Sequence, residues 1–248
     1  TSYPQLTGFI EKHPNWPGQN LLRIKVEKIL FKTKSSQAKE WLSKYPPISG
    51  YGKLAQARYD KENREAIVKE AWNHGDFDKA DESIIINEFG DGLTQQDHRA
   101  RIESLLSEEK ATIANNYLEY VSDDYRALYT ARIALIREDG DEESKISRVP
   151  SKLVDDPGLL IDRIIWRNKR GLMGGVIELL KEMDDDNPYA SEVWKIRAGQ
   201  VRDAIDVGDY SGALSLLNNA GNKLESSDRA DALWLTGWLQ FDFLKNPE

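Results

Sequence analysis

The feature that most constrains this chain is a helix–turn–helix signature that recurs five times. Its turn positions are 75, 109, 140, 171 and 208, so successive turns lie 34, 31, 31 and 37 residues apart. In the clearest copies, residues 75–80 and 208–213, a turn glycine is followed five positions later by alanine. A period in this range indicates helix pairs that stack in series, because one pair cannot bury its apolar stripe alone.

This repeat predicts an all-α fold. Its specific form would be a tetratricopeptide-like α-superhelix, a solenoid of antiparallel helix pairs that is curved or ring-like. We expect residues 1–60, which prolines interrupt, to form irregular N-terminal helices or a first unit, and residues 61–248 to form the regular superhelix. Asn246 and Pro247 look like the start of a further helix, so we interpret the chain as truncated in its last unit and without a catalytic domain.

The chemistry of the turns explains why these residue types recur. A glycine ends the first helix of a pair because it adopts the left-handed C-cap conformation at little cost. An Asp or Ser is then expected to cap the second helix. Phe77 and Tyr210 should pack back under the turn, and Ala80 and Ala213 should lie where two helices approach closely.

Several helix starts are also marked in the sequence. Asp156 and Asn187 each precede a proline, which predicts an N-cap residue followed by the first helical position. Thr94 and Asp97 resemble a capping box. Residues 83–86 form an apolar run that could be a strand, but their position in the repeat favours a helix.

Charge and composition exclude several classes of function. The net charge of −8, from 34 basic and 42 acidic residues, argues against a nucleic-acid backbone as the main partner. The chain has no cysteine, which excludes disulfides and thiolate zinc sites. No apolar run approaches the ~20 residues needed to span a bilayer, and the first residues show no signal-peptide pattern.

The residues that usually carry chemistry form no recognisable constellation. His13, His74 and His98 lack metal-ligand spacing, so no metal site is predicted. The acidic runs 139–143 and 184–187 do not fit a calcium-binding loop, and they fall where turns between helices are expected. We therefore predict no catalytic, cofactor-binding or metal-binding residue and no cofactor.

The aromatic and basic residues are the chain's candidate binding groups. Core packing is expected for most of the seven tryptophans, and Trp234 and Trp238 lie four apart at core spacing. The seven are Trp16, Trp41, Trp72, Trp166, Trp194, Trp234 and Trp238. Arginines are the better candidates for a polar binding surface, although a solvated or helix-pairing role is open for each. These arginines are Arg99, Arg101, Arg126, Arg132, Arg163 and Arg167.

Three strings of the sequence resemble a known family. Residues 93–101, 131–135 and 156–163 are similar to the superhelical region of soluble lytic murein transglycosylases, as are residues 208–210 and the helix at 232–244. The most specific of them is the Asp-Pro-Gly-Leu-Leu-x-Asp-Arg string that begins at residue 156. The resemblance keeps the order of elements and covers roughly residues 15–248.

The resemblance implies a periplasmic bacterial enzyme that cleaves peptidoglycan glycan strands. Cleavage in the family is non-hydrolytic, between N-acetylmuramic acid and N-acetylglucosamine, and it leaves a 1,6-anhydromuramoyl end. The family carries this chemistry in a C-terminal lysozyme-like domain, on a Glu in an Arg-Gln-Glu-Ser setting that precedes a Gly-Leu-Met-Gln motif. The Glu-Ser pairs of this chain, such as Glu82-Ser83, lack that setting, and the Gly-Leu-Met at 171–173 lacks the Gln.

The resemblance therefore predicts a non-catalytic scaffold domain that is inactive alone. Its expected partners are glycan strands, other envelope proteins and its own catalytic domain, and its expected location is the periplasm. The residues that touch glycan or partner cannot be read from the sequence. An alternative from another class is a tetratricopeptide-like adaptor that binds a protein partner, which the repeat pattern supports equally well.

Overall fold

Every regular element in the computed structural model is helical within the residues that it describes, 2–183, 187–218 and 224–245. These residues contain fifteen α-helices and no strand, which confirms the all-α prediction. None of the described helices is both long and apolar enough to cross a membrane. The chain divides into two compact units, Thr1–Ser122 and Asp123–Glu248. The predicted change from irregular helices to regular repeats near residue 60 lies inside the first unit and stays a prediction.

The first unit contains eight α-helices within its described part. They are α1 (Tyr3–Lys12), α2 (Gln19–Lys32), α3 (Ala38–Lys44), α4 (Gly50–Ala57), α5 (Arg64–His74), α6 (Lys79–Phe89), α7 (Gln95–Ser107) and α8 (Ala111–Ala114). Short 3₁₀ segments follow α6 at Gly90–Gly92 and α8 at Asn115–Tyr120.

The second unit contributes the other seven described α-helices. They are α9 (Asp123–Arg137), α10 (Glu142–Ile146), α11 (Pro157–Lys169), α12 (Met173–Glu182), α13 (Ala190–Asp206), α14 (Tyr210–Leu217) and α15 (Ser226–Trp238). A 3₁₀ segment at Ser151–Leu153 precedes α11, and a π-helical turn at Leu239–Phe243 extends α15. The core of this unit is a cluster of apolar side chains that runs from α11 to the π-helical turn and includes the Trp194 ring.

All five predicted turns separate two helices. They lie between α5 and α6, α7 and α8, α9 and α10, α11 and α12, and α13 and α14. The predicted left-handed conformation is present at Gly140, Gly171 and Gly208, where φ is +94°, +70° and +80°. The turn without a glycine has the same conformation, with φ of +58° at Glu109. The repeat in the sequence therefore predicts the positions of these five helix boundaries correctly.

Gly75 was expected to be left-handed as well, and that prediction was wrong. Its backbone is extended, with φ of −74° and ψ of 141°. Space explains the glycine instead: a Cβ at this position would collide with the Phe77 ring and with the Ala71 carbonyl oxygen. Phe77 is buried under the turn, as predicted.

The alanine five positions after the turn behaves differently in the two clearest copies. Ala213 is fully buried, which confirms a close approach of helices in the second unit. Ala80 is exposed, so the prediction was wrong there. The reason is the orientation of α6, which buries Asp81, Glu82 and Ile85 and turns Ala80 outward.

Helices α7 and α11 begin with the predicted capping chemistry. Thr94 and Asp97 form a reciprocal capping box at α7, in which the Thr94 N–H donates to Asp97 Oδ2 over 2.8 Å. At α11 the Asp156 Oδ1 accepts from the Leu159 N–H over 3.1 Å, and Pro157 is the first helical residue. The apolar run at 83–86 lies within α6, so it is helical as expected.

Asn187 does not cap a helix, although the following proline predicted that it would. Helix α13 begins three residues later, at Ala190, with Tyr189 at the N-cap. Asn187 Oδ1 instead accepts from the Tyr189 N–H over 2.8 Å, inside the preceding turn. The acidic residues at 184–186 and the helix start expected at 246–247 lie outside the described residues.

The tryptophans divide between core and surface. Trp41, Trp72, Trp166 and Trp194 are buried, as expected. The prediction was wrong for Trp234, whose side chain is 59% exposed. Ala232 and Leu235 of α15 and Leu239 of its π-helical extension face inward, so Trp234 faces out. Its ring stacks on Trp238, with centroids 5.4 Å apart. Trp16 is also exposed.

Candidate ligand-binding pocket

A pocket of about 380 Å³ opens in the first unit between α6 and the 3₁₀ segment Asn115–Tyr120. Helix α6 contributes Lys79, Glu82, Ser83 and Ile86, which share one face because they are three or four residues apart. The 3₁₀ segment supplies the opposite wall, and Trp72 of α5 also contributes. We call this the α6 pocket.

A buried ionic centre underlies the pocket. Glu82 is only 8% exposed, and its Oε1 accepts a hydrogen bond from the Tyr117 hydroxyl. Burial, and next the bond to Glu82, raise the pKa of Tyr117, so the phenol remains a proton donor. Arg101 Nη2 lies 3.8 Å from the same oxygen, and its Nη1 donates to the Gly75 carbonyl. The charge of Glu82 is thus compensated from within the protein.

Aromatic rings surround the Arg101 guanidinium. Its carbon lies 5.7 Å from the Trp72 ring centroid, 5.5 Å from that of Phe77 and 5.4 Å from that of Tyr117. Arg101 is 2% exposed, so these cation–π contacts act without competition from water. They hold the cation, and with it the turn at Gly75, in one position.

His98 supports the pocket from α7. Its ring stacks on Tyr120, with centroids 4.9 Å apart, and meets the edge of Trp72 at 5.6 Å. Tyr120 and Trp72 both line the pocket, so His98 fixes two of its rings. Burial lowers the pKa of His98 below its ordinary value of 6.5, and Asp97 opposes this shift. The imidazole is therefore neutral at neutral pH.

This lowered pKa predicts acid sensitivity of the fold. Between the lowered pKa and 6.5 the folded chain binds fewer protons at His98 than the unfolded chain, so stability falls as the pH drops through that window. Above 6.5 the contribution is fully retained. We expect His98→Phe, which keeps the stacked ring, to flatten the pH dependence of the urea midpoint between about pH 7.5 and about pH 5. Parallel curves for the two proteins would contradict the assignment.

The rim of the pocket carries polar side chains that make no hydrogen bond or ion pair within the described residues. Within the described part of the chain, Lys79, Ser83, Asn115 and Asn116 form no side-chain hydrogen bond, and Lys79 forms no ion pair. Glu119 at the same rim acts on Tyr120, whose pKa is raised first by burial and then by this carboxylate. The rim therefore keeps donors and acceptors available for a ligand.

Charges around the pocket balance. Lys79 and Arg101 carry positive charge, and Glu82 and Glu119 carry negative charge. Arg101 lies behind the lining, and with it the two positive and two negative charges balance. A lining of aromatic rings, amides and hydroxyls in such surroundings suits a small ligand that is neutral and polar. No group of three or more His, Asp or Glu side chains in the described ranges is arranged to hold a metal ion.

The six arginines expected as surface candidates are not brought together. Arg101 and Arg132 are buried, which confirms the helix-pairing alternative for both. Arg126 is exposed and lies 3.0 Å from Asp123 Oδ1. The other three, Arg99, Arg163 and Arg167, are half-buried. Burial, and next the neighbouring Arg167, lower the pKa of Arg163.

Arg132 links two of the strings on which the family resemblance rests. Its Nε donates to Asp162 over 2.6 Å, and its Nη2 donates to the Tyr189 hydroxyl over 3.3 Å. A Cβ at Gly158 would collide with its guanidinium, so this glycine leaves the space that Arg132 occupies. The most specific residues of the 156–163 string therefore serve α9–α11 packing.

A further buried arginine was missed in the sequence. Arg197 is 1% exposed and donates to the carbonyls of Leu216 and Met183, over 3.0 and 2.9 Å. The signal that could have found it is periodic: arginines at 101, 132, 163 and 197 follow at intervals of 31, 31 and 34. These intervals match the repeat of the turns.

The remaining candidates are scattered. His13 is exposed beside Phe9, and His74 is exposed at the edge of a second pocket of about 300 Å³. Residues 139–141 lie in the turn between α9 and α10, where a turn was expected, and residues 142–143 begin α10. Glu142 accepts from the Gly140 N–H over 3.1 Å. None of these groups lines the α6 pocket.

Comparison with known proteins gives no relative for this chain. No protein-family model, no curated protein and no solved structure matches it.

Proposed function

We propose that this chain is a non-catalytic α-superhelical scaffold domain that holds peptidoglycan glycan strands. The parent enzyme would be a periplasmic soluble lytic transglycosylase that cleaves the bond between N-acetylmuramic acid and N-acetylglucosamine, leaving 1,6-anhydromuramoyl ends. The observation that carries the proposal is the α6 pocket, whose ring-lined, charge-balanced interior suits a neutral sugar.

The charge arrangement favours a sugar over an ionic ligand. An anionic ligand would meet Glu82 and Glu119, and a cationic ligand would meet Lys79 with Arg101 behind the wall. A sugar can direct its hydroxyl and amide groups toward the polar side chains of the rim, and its C–H groups toward the aromatic rings. Each of these matches a surface that the pocket offers.

The superhelical part of the proposal rests on the repeats. Five turns at nearly equal intervals each connect the two helices of a pair. The arginines at 101, 132, 163 and 197 recur with a similar period. Stacked helix pairs with this period are typical of tetratricopeptide-like solenoids. The three strings similar to lytic transglycosylases supply caps and buried contacts, so the resemblance concerns residues that build this fold.

One observation favours the alternative function, a tetratricopeptide-like adaptor for a protein partner. Leu233, Trp234 and Phe241 are largely exposed on α15 and its π-helical extension. Exposed apolar side chains that are close together are typical of protein interfaces. In a scaffold domain the same surface would suit the catalytic domain or another envelope protein.

Sedimentation with purified sacculi tests the proposal. We expect the chain to pellet with sacculi at physiological salt, to be released by soluble glycan strands, and to release no anhydromuropeptides itself. A chain that stays in the supernatant while it captures an envelope protein would favour the adaptor. Anhydromuropeptide release above a buffer control would overturn the non-catalytic assignment.

A further inference from the structure

We infer that the α6 pocket recognises the N-acetyl group of a hexosamine, and so distinguishes acetylated glycans from glycans without this group. The inference rests on the proposed function and names what the same site selects. It is based on three features of one small opening: an apolar wall, two asparagine side chains that make no hydrogen bond within the described residues, and charges that balance when Arg101 is counted.

One wall of the α6 pocket is apolar. Ile86 and the rings of Trp72 and Tyr120 line one small pocket together. An acetamido methyl is an apolar group of matching size, and removing it from water against such a surface is favourable. A plain hydroxyl at the same position of the sugar would leave this wall without a partner.

The rim of the pocket carries two asparagine amides. Asn115 and Asn116 both line the pocket, and neither side chain makes a hydrogen bond within the described residues. Each offers one carbonyl acceptor and two N–H donors. An acetamido group presents one N–H and one carbonyl, so two such side chains can satisfy both of its polar atoms.

Charge acts against a deacetylated sugar through desolvation. Removing the acetyl group leaves an ammonium, which would meet both Lys79 and Glu119 at the rim, so these two opposite charges largely offset each other. The buried Glu82 adds little attraction, because Arg101 and the Tyr117 hydroxyl already engage it. The ammonium would lose water on entering the pocket without a free carboxylate to pair with, whereas a neutral acetamido group meets no such penalty.

Two oligosaccharides of equal length and linkage test the inference. Chitotetraose carries an acetamido group on every ring, and cellotetraose carries a hydroxyl at the same positions. We expect calorimetric titration of the full chain to give at least about tenfold tighter binding of chitotetraose, which corresponds to about 1.4 kcal/mol. Deacetylated chitotetraose should bind no better than cellotetraose.

A matched pair of variants locates the effect. Asn116→Ala should remove most of the preference, and Asn20→Ala, an exposed asparagine of α2, should leave it unchanged. Both variants should keep the circular dichroism of the wild type, since neither side chain makes a hydrogen bond within the described structure.

The outcomes separate this inference from the proposed function. Equal affinities for chitotetraose and cellotetraose, or no binding of either by a chain that pellets with sacculi, would overturn the N-acetyl inference alone. A chain that also ignores sacculi would overturn the proposed function. An unchanged preference in Asn116→Ala would show that the selectivity lies outside the α6 pocket.

Discussion

Replacement of Arg101 by methionine is expected to lower the free energy of unfolding by about 3–5 kcal/mol. The change leaves the buried Glu82 carboxylate without its cation and the Gly75 carbonyl without its donor. Methionine fills much of the same volume, so the loss reports mainly unpaired polar groups rather than a cavity. Urea denaturation of the full chain, followed by circular dichroism and tryptophan fluorescence, measures it.

Lys39→Met is the control for this prediction. Lys39 is exposed on α3, and its removal should change the free energy of unfolding by less than about 0.5 kcal/mol. If Arg101→Met cost no more than this control, Arg101 would not be the cation that stabilises the turn at Gly75.

We also expect Arg101→Met to weaken glycan binding, because Glu82 would then place an uncompensated charge beside the pocket.

The second large effect is expected in the other unit. Arg132→Met removes the partner of Asp162, whose side chain is largely buried, and the donor to the Tyr189 hydroxyl. We expect a loss of about 3–5 kcal/mol in the same denaturation experiment. Arg229→Met, at an exposed position on α15, should be close to neutral.

Gly158 provides a sharper test of the same contact. Gly158→Ala should destabilise the wild type by about 1–3 kcal/mol, because its Cβ would displace the Arg132 guanidinium. In the Arg132→Met background most of this cost should vanish, since the displaced group is gone. Additive effects of the two substitutions would show that they act independently and would contradict the described packing.

Local chemistry explains why the helix boundaries could be predicted. The turns at 140, 171 and 208 and the caps at Thr94 and Asp156 depend on residues within one turn of each boundary. Such preferences are visible in the sequence because no distant partner has to be known.

Tertiary packing explains why other predictions were wrong. Ala80 and Trp234 have the spacing of core residues, yet both face outward because of how α6 and α15 are rotated. At Gly75 the constraint is the ring of Phe77, which a rule for C-cap glycines does not contain. The burial of Arg101 likewise depends on partners in the turn at Gly75, on α6 and on the 3₁₀ segment Asn115–Tyr120.

The α6 pocket could not be predicted for the same reason. It combines residues from Trp72 to Tyr120, and no fixed spacing connects them. In the sequence Glu82 is only half of a Glu-Ser pair without a catalytic setting. Its role as a buried, compensated carboxylate becomes visible only when α6 is placed beside Tyr117 and Arg101.

The most direct measurement of the central claim compares two proteins in the sacculus sedimentation assay. They are the wild-type chain and the Asn115→Ala/Asn116→Ala double variant, whose replaced side chains make no hydrogen bond within the described residues. We expect the wild type to pellet with sacculi and the equally well folded variant to remain largely in solution. A wild-type chain that stays in the supernatant, or a variant that pellets as completely as the wild type, would contradict a glycan-holding scaffold built around the α6 pocket.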